Sequence, residues 1–184
     1  VMRSVARQPL EIGYVAALWP AIPATNSEAD IEAARKATFG GLAGWLLEPV
    51  YKGEYPQRQL AEYAGKVPKH DPEDLKIMAQ PLDFFAMNTY QGVVVRAGPD
   101  GEPENLPSPQ GTPRTAFWVF ELVPEALYWG PRFYHERYGL PVYVTENGLS
   151  LTDWKSLNGK VEDPNRIDFM RRYLSQLNRA AADG

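Results

Sequence analysis

Residues 141–150 read Pro-Val-Tyr-Val-Thr-Glu-Asn-Gly-Leu-Ser. Alternating β-branched and aromatic residues predict a short strand near residues 142–146, and the Asn147-Gly148 pair predicts a sharp turn directly after it. This strand delivers Glu146 to its C-terminal end. In parallel α/β architectures the catalytic residues lie at that end of the strands, so Glu146 is a candidate catalytic residue. The local pattern is equally compatible with an ordinary solvated Glu before a turn.

Two further strands are expected upstream, near residues 12–18 and 83–90, because both segments are short apolar runs. Helical patterns follow each strand. One begins after Ser27 and runs towards Leu47, a second spans residues 124–139, and a third begins at Asp163-Pro164 with Met170, Tyr173, Leu174 and Leu177 as its apolar stripe. Strand and helix alternate three times, which predicts an α/β fold with parallel strands and flanking helices.

Two segments are expected to be irregular. Residues 97–113 are so dense in Gly and Pro that we predict a long exposed loop without regular structure. The exit from the first strand, with Pro20 and Pro23, is predicted to open another loop.

Composition restricts the class of protein. The 184 residues predict a single domain over 1–184, and a net charge of −4 without a basic cluster argues against nucleic acid or an anionic membrane as a partner. No apolar run approaches the ~20 residues that cross a bilayer, and no signal-peptide core is evident, so we expect a cytoplasmic protein. Zero Cys exclude disulfides and thiol chemistry, and two lone His residues make a zinc site improbable.

Several segments resemble one enzyme family. Residues 143–148 (Tyr-Val-Thr-Glu-Asn-Gly) resemble the nucleophile signature of the family 1 glycoside hydrolases, the retaining β-glucosidases and β-galactosidases. Residues 11–15, 45–56, 81–90 and 124–133 resemble further blocks of that family, in family order. The resemblance implies a C-terminal partial (β/α)8 TIM barrel, about units five to seven, since the chain is shorter than the ~250 residues of a complete barrel.

The resemblance also implies roles for five residues. Glu146 matches the family nucleophile, and Tyr90 matches the Tyr that donates a hydrogen bond to it. Asn88 should face the same side as Tyr90 and bind substrate. Phe120 takes the position where the family usually places a Trp beside the aglycone, and Trp118 lies two residues earlier. Tyr90 could instead be a strand-end aromatic that caps the barrel, and the other two aromatics could cover the base of the long loop.

Other side chains are expected in structural positions. Thr89 replaces the middle Tyr of the family's Asn-Tyr-Tyr motif and should point away from Asn88 and Tyr90. Phe85 or Met87, together with Tyr143, are expected to face the barrel interior. Arg166 is expected to be solvated.

The family's Asn-Glu-Pro acid/base motif is absent from the chain, whose Glu-Pro pairs are Glu48-Pro49 and Glu102-Pro103. We therefore expect an inactive isolated chain that belongs to a retaining β-glucosidase-like enzyme acting on β-glycosides or oligosaccharides. A companion N-terminal barrel segment, or self-association, would complete the barrel. The resemblance implies no metal or organic cofactor, since the two-carboxylate mechanism of the family needs none. A non-catalytic sugar-binding or assembly module and an experimental fragment are the alternatives, and the preferred glycone stays open.

Overall fold

The computed structural model describes residues 2–184. Its strands are β1 (Gly13–Ala17), β2 (Ala21–Pro23), β3 (Phe84–Asn88), β4 (Val93–Ala97), β5 (Pro103–Asn105) and β6 (Val142–Glu146). Its helices are α1 (Met2–Val5), α2 (Glu28–Thr38), α3 (Gly41–Tyr51), α4 (Gln57–Glu62), α5 (Pro72–Met78), α6 (Ala126–Tyr138) and α7 (Pro164–Ala182).

The main sheet has the order β1-β3-β6, and both of its strand pairs are parallel. These three strands lie within the segments expected to be strands. Because all run in the same direction, their C-terminal ends meet at one edge, which carries Ala17, Asn88 and Glu146. The ladder between β3 and β6 shifts its register between Met87 and Asn88, which places Glu146 opposite Asn88.

Both segments that were predicted to be irregular contribute strands to a second, smaller sheet, so both predictions were wrong. β2 pairs in parallel with β4, and β4 pairs antiparallel with β5. The predicted loop of residues 97–113 therefore contains the end of one strand and the whole of another. Pro103 is tolerated because it begins an edge strand, and Gly101 adopts a positive φ of 74° in the turn between β4 and β5.

The helix predicted between Ser27 and Leu47 is in fact two helices. The Ser27 hydroxyl accepts a hydrogen bond from the Asp30 amide at 3.2 Å and caps α2, as expected. The helix is interrupted at Phe39 and Gly40, and α3 begins at Gly41. Gly44 allows close packing, since a Cβ at this position would lie 2.3 Å from the Phe39 carbonyl oxygen.

Helix α6 ends as predicted at Gly139, which has a φ of 67°, and it continues through Pro131. The predicted stripe on α7 is only partly correct. Tyr173 is fully buried, whereas Leu174 is 50% exposed and the unpredicted Phe169 is buried beside Tyr173. The contact face of α7 is thus rotated from the predicted one by its packing on α6.

Packing between the main sheet and the helices contradicts the predicted orientation of Phe85 and Met87. Phe85 and Met87 are fully buried in the main core cluster, and the Phe85 ring stacks on Tyr134 of α6 with 4.5 Å between centroids. They therefore face the helices and not the interior side of the sheet. Alternation along β3 gives the opposite face to Phe84 and Ala86, and Tyr143 on that face is 52% exposed.

Within residues 2–184, none of the helices is both long enough and apolar enough to span a membrane.

Candidate active site

The C-terminal edge of the main sheet brings Tyr90 and Glu146 into contact. Glu146 ends β6, Tyr90 follows β3 by two residues, and the Tyr90 phenol donates a hydrogen bond to Glu146 Oε2. The Thr89 amide donates to the Glu146 carbonyl oxygen at 2.9 Å, and Asn147 Nδ2 donates to the Thr89 carbonyl oxygen at 2.7 Å. These two hydrogen bonds hold the strand ends together and so position the Tyr90–Glu146 pair.

The same hydrogen bond disfavours ionisation of the Tyr90 phenol. The bond to Glu146 raises the pKa of Tyr90 above its usual value, and partial burial raises it further. The phenol therefore stays protonated at neutral pH and acts as a donor to the carboxylate.

Asn88 lies beside this pair on the sheet edge. The Thr145 hydroxyl donates to Asn88 Oδ1 at 2.7 Å, which orients the Asn88 side chain. Its amide nitrogen is the group that can donate to a ligand hydroxyl. Thr89 points to the opposite side, as expected: it is fully buried, and its hydroxyl donates to the Leu18 carbonyl oxygen at 2.7 Å.

An aromatic cavity of about 460 Å³ opens next to Tyr90. Its lining is mostly apolar and includes Trp19, Tyr90, Phe117, Trp118, Phe120 and Leu149. The Phe120 ring lies 6.4 Å from Tyr90 and 6.4 Å from Trp118, so both aromatics singled out in the sequence belong to one wall. Trp19 was missed, although its position just after β1, at the same sheet edge, is the signal that could have found it.

The environment of Arg166 was wrongly predicted. Its guanidinium donates to both carboxylate oxygens of Asp153, at 2.9 and 2.6 Å, to Asp163 at 2.9 Å, and to the Leu149 carbonyl oxygen at 2.9 Å. The hydrogen bonds to Asp153, and less strongly to Asp163, raise the pKa of Arg166. Arg166 is therefore not simply solvated: it ties the segment after Glu146 to the start of α7.

The two Glu-Pro carboxylates are engaged elsewhere. Glu48 on α3 is buried and accepts two hydrogen bonds from Arg137, both at 2.8 Å. Glu102, in the turn before β5, accepts from Arg58 at 2.7 Å and pairs with Lys36 at 3.5 Å. Neither carboxylate lines the aromatic cavity. Over residues 2–184, no group of three or more His, Cys, Asp or Glu side chains is arranged to hold a metal ion.

The C-terminal edge of the parallel main sheet thus carries a carboxylate bound by a phenol, beside an aromatic cavity. The sequence model for glycosyl hydrolase family 1 matches residues 1–184, and the chain belongs to this family.

Relatives in this family include the "1,4-beta-D-glucan glucohydrolase" of Thermotoga neapolitana, which is 36% identical over 163 residues. That match covers 88% of this chain and 38% of the relative. "Beta-glucosidase A" of Acetivibrio thermocellus is 35% identical over 181 residues, covering 95% of this chain and 40% of the relative. The chain thus spans about two fifths of the length of these proteins.

Solved structures agree with the sequence matches. The β-glucosidase of Thermotoga maritima in complex with glucoimidazole superimposes with a TM-score of 0.79 at 32% identity. The match covers 100% of this chain and 41% of that enzyme. The fold described above is therefore an α/β fold that matches part of a family 1 TIM barrel.

Proposed function

We propose that this chain forms about units five to seven of a family 1 barrel and supplies Glu146 as the nucleophile of a retaining β-glucosidase. The contact between Tyr90 and Glu146 at the C-terminal sheet edge carries this proposal. A hydrogen bond from a neutral donor stabilises the ionised carboxylate, which is the form that can attack. Since Tyr90 binds Oε2, we expect Oε1 to be the attacking oxygen.

The proposed reaction has two steps. Glu146 attacks the anomeric carbon and displaces the leaving-group oxygen, which forms a covalent glycosyl–enzyme ester. Water then hydrolyses this ester and regenerates the carboxylate. A second carboxylate, about 5 Å away, protonates the leaving oxygen in the first step and activates the water in the second.

In this proposal the second carboxylate lies outside these 184 residues, because they lack the family's Asn-Glu-Pro motif and both Glu-Pro carboxylates are held in ion pairs. General acid–base catalysis contributes about 10²–10⁴-fold to rate, and most of the sugar pocket would be missing as well. The isolated chain is therefore inactive in this proposal, and a companion barrel segment completes the site.

The substrate class follows from the relatives, which carry the names β-glucosidase and 1,4-β-D-glucan glucohydrolase. We propose β-D-glucosides or short β-linked oligosaccharides as substrates. Asn88 is proposed to bind the sugar, while Phe120 and Trp118 contact the leaving group.

A chimera tests the proposal directly. The matched segment of the Thermotoga neapolitana enzyme would be replaced by the corresponding residues of this chain, and hydrolysis of an aryl β-D-glucoside measured. We expect activity in the chimera and a loss on the order of 10⁴-fold or more in its Glu146→Gln variant, as removal of a catalytic group typically causes. The exposed Glu162 provides a matched control, since Glu162→Gln removes the same charge near α7 and should leave turnover unchanged.

Three outcomes would contradict parts of the proposal. A folded chimera whose turnover survives Glu146→Gln would exclude Glu146 as the nucleophile. Turnover by the isolated chain that disappears in Glu146→Gln would refute its predicted inactivity. A chimera that folds and binds glucosides without hydrolysing them would support the non-catalytic binding module instead.

A further inference from the structure

Tyr173 of α7 places its hydroxyl group between two backbone groups near the proposed site. The hydroxyl donates to the Tyr90 carbonyl oxygen at 3.0 Å and accepts from the Val123 amide at 2.9 Å. An amide N–H can only donate, so the single proton of the phenol is left for the Tyr90 carbonyl. Helix α7 is therefore connected to the main chain of the residue whose side chain binds Glu146.

The position of this hydroxyl is fixed by the packing of its ring. Tyr173 is fully buried in a cluster with Leu127, Leu149 and Phe169, and its ring stacks on that of Phe169 with 4.0 Å between centroids. Such close packing leaves a ring few alternative rotamers. Burial raises the pKa of Tyr173 to about 12, so the phenol stays protonated and donates at neutral pH.

The main chain of Tyr90 lies beyond the end of its strand. β3 ends at Asn88, and the Thr89 amide bonds the Glu146 carbonyl oxygen. The bond from Tyr173 adds a contact from a different element, one residue further along. The phenol oxygen of Tyr90 lies far from its own backbone, so a small backbone rotation moves it substantially. A misplacement of about 1 Å at an active site can lower the rate about 100-fold.

We propose that Tyr173 is a positioning residue for Glu146: its hydroxyl fixes the main chain of Tyr90 and thereby aligns the Tyr90 phenol with the carboxylate. This inference rests on the proposed function, in which Glu146 is the nucleophile. Because Tyr173 is buried, it acts through Tyr90 and does not touch the reacting atoms. A hydroxyl that only satisfied two buried backbone groups would contribute to stability and leave the chemistry of the folded enzyme unchanged.

Steady-state kinetics of the chimera with the Thermotoga neapolitana enzyme test the proposal. Tyr173→Phe keeps the ring and removes the hydroxyl. We expect kcat to fall about threefold to 30-fold with little change in KM, because the Tyr90 phenol is misaligned but still present. Unchanged kcat in a folded Tyr173→Phe chimera would overturn the proposal.

Tyr51→Phe is the matched control. It removes a part-buried hydroxyl that donates to the Tyr14 carbonyl oxygen at 3.2 Å, near the N-terminal end of β1. This bond also joins a helix to a strand of the main sheet, but at a distance from Glu146 along the sheet. We expect Tyr51→Phe to lower the temperature of unfolding and to leave kcat unchanged. A loss of kcat equal to that of Tyr173→Phe would show a general effect of helix packing and overturn the proposal.

A double-variant cycle separates positioning from stability. If Tyr173 acts through the Tyr90 phenol, Tyr173→Phe should change kcat by less than about twofold in a chimera that already carries Tyr90→Phe. Its effect on thermal unfolding should be similar in both backgrounds, since two buried backbone groups lose their partner in each. An equal loss of kcat in both backgrounds would contradict the proposed route through Tyr90.

A second replacement retains the donor and keeps the proposal testable if Tyr173→Phe does not fold. In Tyr173→4-aminophenylalanine, an N–H group takes the place of the hydroxyl and can donate to the Tyr90 carbonyl. We expect kcat within about threefold of the parent chimera. A folded variant that loses more than about tenfold in kcat would show that this donor does not set the alignment.

The isolated chain gives a readout that does not depend on turnover. The bond to Glu146 raises the pKa of Tyr90, so a misaligned phenol should titrate at a lower pH. The chain would be labelled with 3-fluorotyrosine, whose phenol ionises at milder pH, and the ¹⁹F signal of Tyr90 assigned with Tyr90→Phe. We expect the titration midpoint to fall in Tyr173→Phe and to stay constant in Tyr51→Phe. An unchanged midpoint in Tyr173→Phe would overturn the proposal.

The two kinds of measurement keep this inference separate from the proposed function. A chimera without Glu146-dependent turnover would contradict the assignment of the nucleophile, while a lower Tyr90 midpoint in Tyr173→Phe would still support the alignment of the phenol by Tyr173. Glu146-dependent turnover with equal kcat values for the chimera and its Tyr173→Phe variant would contradict only the role of Tyr173.

Discussion

The phenol of Tyr90 and the carboxylate of Glu146 form the contact on which the proposed chemistry depends. A hydrogen bond to an ionised group is stronger than one between neutral groups, at roughly 1.5–3 kcal/mol. It also orients the carboxylate, because Tyr90 directly follows Thr89, whose amide is hydrogen-bonded to the Glu146 carbonyl oxygen.

Replacing Tyr90 by Phe should therefore slow the chemical step. In the chimera with the Thermotoga neapolitana enzyme, we expect Tyr90→Phe to lower kcat about 10- to 100-fold, which corresponds to the loss of one charge-assisted hydrogen bond. The KM should change less, since the ring remains. Tyr63→Phe removes an exposed hydroxyl beside α4 and serves as the control in the same steady-state assay. Equal kcat values for the chimera and its Tyr90→Phe variant would exclude this role.

Between elements, the buried carboxylate of Glu48 links α3 to α6. Arg137 contributes two hydrogen bonds and Tyr138 a third, each at 2.8 Å. Burial alone would raise the pKa of Glu48, but the bonds from Arg137 and Tyr138 outweigh it, so the pKa lies below its usual value. The Glu of the first Glu-Pro pair thus serves helix packing.

Glu48→Gln should destabilise the fold strongly. The substitution leaves the Arg137 guanidinium without its anionic partner; because this side chain is one third exposed and can be rehydrated, we expect a loss of about 1–3 kcal/mol, less than for a fully buried ion pair. Glu54→Gln, at an exposed position close in sequence, should change the free energy of unfolding by less than about 0.5 kcal/mol. Urea unfolding of the three proteins measures the difference, and similar midpoints for both variants would contradict this role of Glu48.

The same ion pair predicts a pH dependence. Because the pKa of Glu48 is lowered by folding, its contribution to stability is complete above the unfolded-state value of about 4.3 and is lost as the pH falls through the folded-state value. Wild-type protein should therefore lose more stability than Glu48→Gln as the pH falls from 6 to 3. Unfolding free energies measured along this series should converge at low pH, and parallel curves would contradict the prediction.

At the scale of the whole molecule, the main sheet is open. Within the described residues, β1 and β6 each pair only with β3, which leaves two strand edges without a partner. On the face opposite the helices, Val15 is 47% and Tyr143 is 52% exposed. Unpaired edges and exposed apolar side chains promote pairing with another chain, so the sheet favours a companion segment or self-association.

We expect the isolated chain to self-associate at high concentration. Positive charges on the sheet face opposite the helices should reduce self-association. A Val15→Lys/Tyr143→Lys double variant should therefore shift the distribution of oligomeric states towards monomer. Ile77→Lys, which adds a charge at a 71% exposed position on α5, should have no such effect. Static light scattering over a concentration series measures the distribution. A monodisperse wild-type monomer throughout that series would refute the expectation.

Short-range patterns were sufficient for several features of the fold. Alternating apolar residues indicated the three strands of the main sheet, and the caps at Ser27 and Gly139 were read from residues next to the helix ends. Such features depend on φ/ψ preferences and hydrogen bonds within a few residues, so they are present in the sequence itself. The Gly and Pro density of residues 97–113 wrongly predicted a loop where β5 forms, because Pro and Gly disfavour regular structure only at some positions of a hairpin.

Local motifs and the two-residue period of a strand were enough to predict the family, the parallel α/β class and the positions of Glu146, Tyr90 and Asn88 at strand ends. The folded structure was needed to show which face of β3 meets the helices, what Arg166 binds, and that Trp19 joins the aromatic wall. It was also needed to show that the Thr115 and Ser150 hydroxyls hydrogen-bond the backbone of Phe117 and Phe120. These features depend on contacts between separate elements of the fold, whose meeting no local pattern specifies.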